Sequence, residues 1–174
     1  EVVASGGEFV SAPEVNCVTS APEPPNVLSD GLHVDMAFPP DVSSLGKSDS
    51  WDGAKEVDCW LRSPMLAGHA DAELFDEIGP DDLLQGKIGN CWLIAALACV
   101  AEFPELIESL FQEDSTSTDG SYTVRLFSAE ADDWVALTID NTIPAKWWFG
   151  HPKPVMATPS GPEQWTMLLE KAVA

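Results

Sequence analysis

Hydrophobic and polar positions divide the chain into an unpatterned lead and a patterned body. From Cys91 to Ala101 every residue is apolar (Cys91-Trp92-Leu93-Ile94-Ala95-Ala96-Leu97-Ala98-Cys99-Val100-Ala101). Asn90 before it is a good helix N-cap, so the run predicts a helix. A helix apolar on all faces is expected to be buried on all faces, as the central helix of a domain. Pro104 suits a first helical turn, and Leu106, Ile107, Leu110 and Phe111 follow it at helical spacing. After a polar stretch at 112–120, Tyr122, Val124 and Leu126 alternate with Thr123 and Arg125, predicting a half-buried strand. A turn at 128–133 leads to a partner strand over 134–139, with Val135, Leu137 and Ile139 on one side and Asp140-Asn141 closing it. Trp147-Trp148-Phe149 is expected inside a loop. Pro162-Glu163 opens a last helix with Trp165, Leu168, Leu169 and Ala172 at i, i+3, i+4 and i+7.

The segment before the first helix is less regular. Phe38, Leu45 and Trp60 are expected to pin irregular backbone, with a loop at 49–53 and an extended piece at 57–62 ended by Ser63-Pro64. A brief helical turn is expected at 73–75, before Gly79-Pro80. Helices and a hairpin in separate runs indicate the α+β class. Residues 1–36 hold no Lys or Arg and contain Pro13, Pro22, Pro24 and Pro25. Such a stretch cannot bury enough surface to offset its ordering entropy, so it is read as a disordered acidic lead-in to a domain over 37–174.

Composition narrows the functional classes. The 174 residues suit one domain and a tail, and 45% apolar types with seven Trp and seven Phe can build a core. A net charge of −21, from 29 acids against 8 bases, repels nucleic acid and anionic lipid. The Cys91–Ala101 run is well short of the ~20 residues of a membrane span. No basic and apolar signal segment opens the chain. The chain starts at Glu1 and stops at Ala174 inside a predicted helix, so it reads as a fragment of something longer. Cys17, Cys59, Cys91 and Cys99 have no close metal-type spacing, and His33, His69 and His151 have no neighbours at ligand spacing. Reduced thiols in an intracellular, cytoplasmic protein are the default.

One phrase carries chemistry: Gln85-Gly86-Lys87-Ile88-Gly89-Asn90-Cys91-Trp92. Its glycines let the backbone turn sharply and approach a ligand. The thiol of Cys91 then sits at a helix start, where partial positive charge and free N–H groups favour negative charge on sulfur. The Cys91 amide and the Gln85 side-chain amide are two candidate donors to an oxyanion. A nucleophile with two donors is the working half of an acyl-transfer site. The bland alternative is an inert buried thiol, the reading given to Cys99 at mid-helix. Cys59 has no activating neighbour, Cys17 lies in the lead, and no histidine is marked as a base for Cys91.

This phrase resembles the active-site signature of calpain-type cysteine proteases, Gln-Gly-x-x-Gly-Asp-Cys-Trp followed by an apolar helix. The likeness extends along the chain. Phe38 to Leu45 with Trp60-Leu61-Arg62 is similar to the family's opening phrase. Gly120-Ser121-Tyr122, Trp134 and Ile139-Asp140-Asn141-Thr142-Ile143-Pro144 resemble its central hairpin. Glu163-Gln164-Trp165 and Leu168-Leu169-Glu170-Lys171-Ala172 resemble the closing helix of its first catalytic subdomain. The resemblance implies a papain-like fold, of which this chain is the nucleophile-bearing, mainly helical subdomain with a small hairpin. It implies Cys91 as nucleophile, Gln85 as oxyanion-hole side chain and Trp92 as a wall of the substrate cleft. It implies a catalytic His and Asn from a second subdomain beyond Ala174, protein substrates, and regulatory domains or subunits. It also implies calcium as activator, with Asp82 and Glu170 as ligand positions. Asn90, Asn141 and Val173 depart from the family pattern, which keeps a non-catalytic interaction module as the alternative. A transglutaminase-like acyl transfer fits the phrase less well.

Overall fold

The computed structural model describes residues 29–46, 52–66 and 71–174. Regular structure begins with a single helical turn, α1 (Gly53–Glu56), and a strand, β1 (Cys59–Arg62). The apolar run forms α2 (Cys91–Ala101), followed by α3 (Pro104–Glu108). Then come β2 (Ser121–Ser128), β3 (Asp133–Asp140), β4 (Thr142–Trp148), β5 (His151–Pro154) and α4 (Trp165–Val173). β2 and β3 pair antiparallel from Ser121↔Asp140 to Ser128↔Asp133, the hairpin that the alternation predicts. A second sheet has the antiparallel order β1-β4-β5. The whole is α+β.

Two buried clusters share α4. Leu93, Ile94 and Leu97 of α2 pack with Ile107, Tyr122, Val124, Trp165, Leu168 and Leu169. Cys59, Leu61, Ile143, Ala145 and Met156 pack with Met167. α4 is therefore enclosed, and every residue from Glu163 to Lys171 is buried. Its two buried charges, Glu170 and Lys171, are answered from opposite sides. The Lys171 ammonium lies 2.7 Å from Asp140 Oδ1 and donates to the Thr142 carbonyl at 3.0 Å. Burial alone would raise the Asp140 carboxyl. The charge and hydrogen bond of Lys171, with donors from Thr142 and the Asp35 amide, hold it below its ordinary range.

Four expectations need correcting. α2 is not enclosed: Leu93, Ile94, Leu97 and Ala101 are buried, while Cys91, Trp92, Ala95, Ala96 and Cys99 are exposed. Both faces are apolar, so the pattern marks no outside; among the described residues only one face is covered. The Trp147-Trp148-Phe149 cluster is not in a loop. Trp147 and Trp148 end β4, and Trp148 pairs with His151 across a two-residue turn with Phe149 and Gly150 at φ 48° and 85°. Two positive φ values make the primed turn that matches strand twist. Residues 73–75 form no helix; Glu73 bridges to Glu163, and the 3₁₀ turn falls at Pro80–Asp82. Finally, residues 29–36 are tied to the domain. Arg62, buried in β1, grips Asp30 through Nε at 2.9 Å and Nη2 at 3.0 Å, and donates to the His33 carbonyl. A two-pronged guanidinium–carboxylate bond fixes geometry as well as charge. The lead-in expected over 1–28 lies outside the described residues, as do parts of the 49–53 loop.

Replacing Lys171 with Met strands a buried carboxylate and is expected to cost about 3–5 kcal/mol, read as a fall in Tm. Adding Asp140→Asn should recover part of it. Because the Asp140 carboxyl is depressed, its stabilisation is present at neutral pH and is lost as pH falls through that lowered value. Acid unfolding of Asp140→Asn should therefore be less pH-dependent than that of the parent.

Candidate active site

The loop before α2 is stitched to the segment after β5. Leu84 and Thr158 exchange backbone hydrogen bonds of 3.0 and 2.9 Å, and the Lys87 amide donates to the Val155 carbonyl at 2.7 Å. Gly86 lies so close that an added Cβ would collide with the carbonyl oxygens of Val155 and Met156. Gly89 takes φ 78°, a left-handed turn that glycine accepts without strain. The chain then enters α2. Its first helical donors, Leu93 and Ile94, both reach the Asn90 carbonyl. The amides of Cys91 and Trp92 precede them and point into the helix mouth, where a ligand's oxygen can be received. Cys91 is a free, exposed thiol at this mouth, and Gln85 is exposed at the other end of the same loop.

Asn90 occupies the N-cap position, but its side chain does not cap. Its Nδ2 donates to Glu170 Oε1 at 2.6 Å. Oε2 of Glu170 accepts from the Ala157 amide. One buried carboxylate thus joins Asn90 beside Cys91, the 155–158 segment and α4. Burial pushes the Glu170 carboxyl above its ordinary range, against the pull of Ala157 and Asn90. Trp92 is 67% exposed and flanks a small hollow with Ile88, Asn90, Glu170 and Val173.

The two positions expected to hold calcium are otherwise engaged. Asp82 Oδ2 accepts from the Gly79 amide at 2.7 Å, and Oδ1 from Ser160 Oγ at 2.7 Å. Both oxygens of Glu170 are also used. Calcium needs six or more oxygens, and among the described residues no group of three acids, histidines or cysteines is placed to hold a metal. Asp82 and Glu170 by themselves do not supply that number.

The remaining candidates separate cleanly. Cys59 is buried, and burial followed by the charge of Asp58 pushes its thiol up. Cys99, expected in the core, is exposed on the same α2 face as Cys91. His33 is exposed, its backbone held between Asp119 and Arg62. His151 is exposed at the start of β5. Cys17 and His69 lie outside the described residues.

The family profile described as "Calpain family cysteine protease" matches residues 33–174. The chain belongs to the calpain family of cysteine proteases. It is 32% identical over 148 residues, 80% of its length, to "Calpain-type cysteine protease ADL1" of Oryza sativa subsp. japonica. It is 26% identical over 151 residues, 84% of its length, to "Calpain-13" of Rattus norvegicus. It is 29% identical over 152 residues, 84% of its length, to "Calpain-1 catalytic subunit" of Homo sapiens. The chain covers 7%, 22% and 20% of these relatives respectively. In this calpain-family domain the sequence places Cys91 and Gln85 on one loop. It does not disclose how Glu170 braces that loop. Nor does it disclose the lysines beside Gln85, because β4 and β5 contain Pro144, Pro152 and Pro154, residues that argue against strands.

Asn90→Asp, which restores the more usual family residue, would set a second carboxylate against Glu170. It is expected to destabilise the domain by about 1–3 kcal/mol at neutral pH. The folded state would then bind a proton more readily than the unfolded chain, so the deficit in Tm should shrink as pH is lowered. A deficit that is constant with pH would show that the two side chains do not meet. Gly86→Ala should lower Tm and slow the reaction of Cys91 with an electrophile together, since the collision lies in the loop that carries both.

Proposed function

We propose that Cys91 is the nucleophile of a cysteine endopeptidase that cleaves internal peptide bonds through a thioester. The observation that supports it is an exposed thiol at the mouth of α2, reached by a glycine loop that Glu170 and the 155–158 segment hold in place. The sulfur attacks the scissile carbonyl and forms the C–S bond. The carbonyl oxygen gains charge and is met by the Cys91 amide and the Gln85 side-chain amide. The tetrahedral species collapses, expelling the amine, and water later releases the acid from sulfur. The base for these proton transfers is the His, oriented by Asn, that the resemblance places in a second subdomain. That subdomain would cover the open face of α2, with Trp92 at the cleft. The 174-residue chain alone is accordingly expected to show no turnover. Calcium dependence is part of this reading through the resemblance alone. No helix among the described residues is long and apolar enough to cross a membrane, and a cytoplasmic setting is part of this reading.

The departure at Asn90 does not by itself favour the non-catalytic alternative, because Asn90 has a defined partner in Glu170. The test labels the 174-residue domain, where the α2 face is open, with a thiol-directed electrophile, and assays proteolysis on the full-length protein. Cys91 and Cys99 are both exposed on α2, eight positions apart. Exposure alone predicts equal labelling. The nucleophile assignment predicts that Cys91 reacts at least about tenfold faster, because only it lies at the helix start. Equal rates would sink the assignment, as would proteolysis that persists in Cys91→Ala.

A further inference from the structure

Lys87, Lys146 and Lys153 line one cleft of about 270 Å³ together with Gln85 and Trp148. The chain has only eight Lys and Arg residues against 29 acids, so three ammonium groups in one cleft run against the composition. Lys146 and Lys153 stand directly opposite each other across β4 and β5. Like charges in that register destabilise a hairpin. The fold relieves them only in part. Glu56 Oε2 serves both Lys87 and Lys146, at 3.3 Å each, and Lys146 also donates to the Lys55 carbonyl at 2.9 Å. The Lys153 side chain has no ion pair or hydrogen bond among the described residues. The cleft therefore keeps positive charge that packing does not explain.

We propose that this cleft is a substrate subsite for an acidic side chain, Asp or Glu, of a peptide whose scissile carbonyl lies at Gln85. The inference rests on the reading of Gln85 and Cys91 above and extends it to specificity. Gln85 belongs to both places: its amide serves the carbonyl and its stem lines the cleft. A carboxylate entering there meets the Lys153 ammonium, which has no partner to give up, and the shared pair Lys87 and Lys146. Trp148 supplies an apolar wall for the methylenes of the incoming side chain.

The test uses the full-length protein with Cys91→Ala, so that peptides bind without being consumed. Labelled peptides carry Glu at one position at a time in a neutral background, with Gln counterparts, and anisotropy reports affinity. At one position the Glu peptide is expected to bind about fivefold more tightly than its Gln counterpart, a ratio that falls as salt is raised. Lys153→Glu should abolish that ratio and leave the Gln peptide unchanged. The proposal is overturned if no position prefers Glu, if Lys153→Glu leaves the ratio intact, or if inorganic phosphate alone binds in a Lys153-dependent way while the Glu and Gln peptides bind alike. Failure of the nucleophile reading registers separately, as cleavage that continues in Cys91→Ala while the Glu preference is unaffected.

Discussion

The arrangement of this domain depends on where one buried carboxylate points. Glu170 is buried, and both of its oxygens are engaged. One takes the Asn90 side chain and the other the Ala157 amide. The first anchors the residue before Cys91, and the second anchors the segment on which the Gln85 loop is hung. A buried acid in this position is expensive unless both bonds form, so the loop and the helix mouth are fixed together or not at all. That coupling is what an acyl-transfer site needs, because donors displaced by about 1 Å forfeit much of their effect on the transition state.

The neighbouring residue extends the constraint to the other side of the molecule. Successive helical residues are ~100° apart, so Glu170 and Lys171 leave α4 in different directions. Lys171 reaches Asp140 and Thr142, where β3 passes into β4. The same two turns of helix therefore brace the loop before α2 and the corner where β3 passes into β4. This is possible only because α4 is enclosed, with Met167 in one cluster and Trp165, Leu168 and Leu169 in the other. A helix on the surface would have left both charges in water, where they would position nothing.

What the sequence discloses follows from this division. The hairpin of β2 and β3 is legible because one face is buried and the other wet, which makes the alternation visible. Cys91 and Gln85 stand out as candidates because glycines, a thiol and a helix start combine in one short phrase. α2 is legible as a helix but not as a half-exposed one, since Trp92, Ala95 and Ala96 are as apolar as Leu93 and Leu97. α4 shows the reverse: Glu170 and Lys171 are charged yet buried, because their partners lie far away in sequence. β4 and β5 were hidden by their prolines, and with them the fact that Lys146 and Lys153 face each other.

That last pair bears on how an acidic protein can hold a site for acids. The net charge of −21 sets the field at long range, but salt screens exposed charges beyond about 8–10 Å. Within the cleft the nearest groups decide, and its lining holds three lysines and no acidic residue. The two ranges act on different properties of a substrate. A uniformly acidic segment is repelled before it arrives, whereas a neutral or basic segment approaches freely and is retained where it offers one acid in the right register. Such a division gives selectivity by charge pattern rather than by charge total, and it explains why the lysines are gathered beside Gln85 instead of being spread to offset the acids elsewhere.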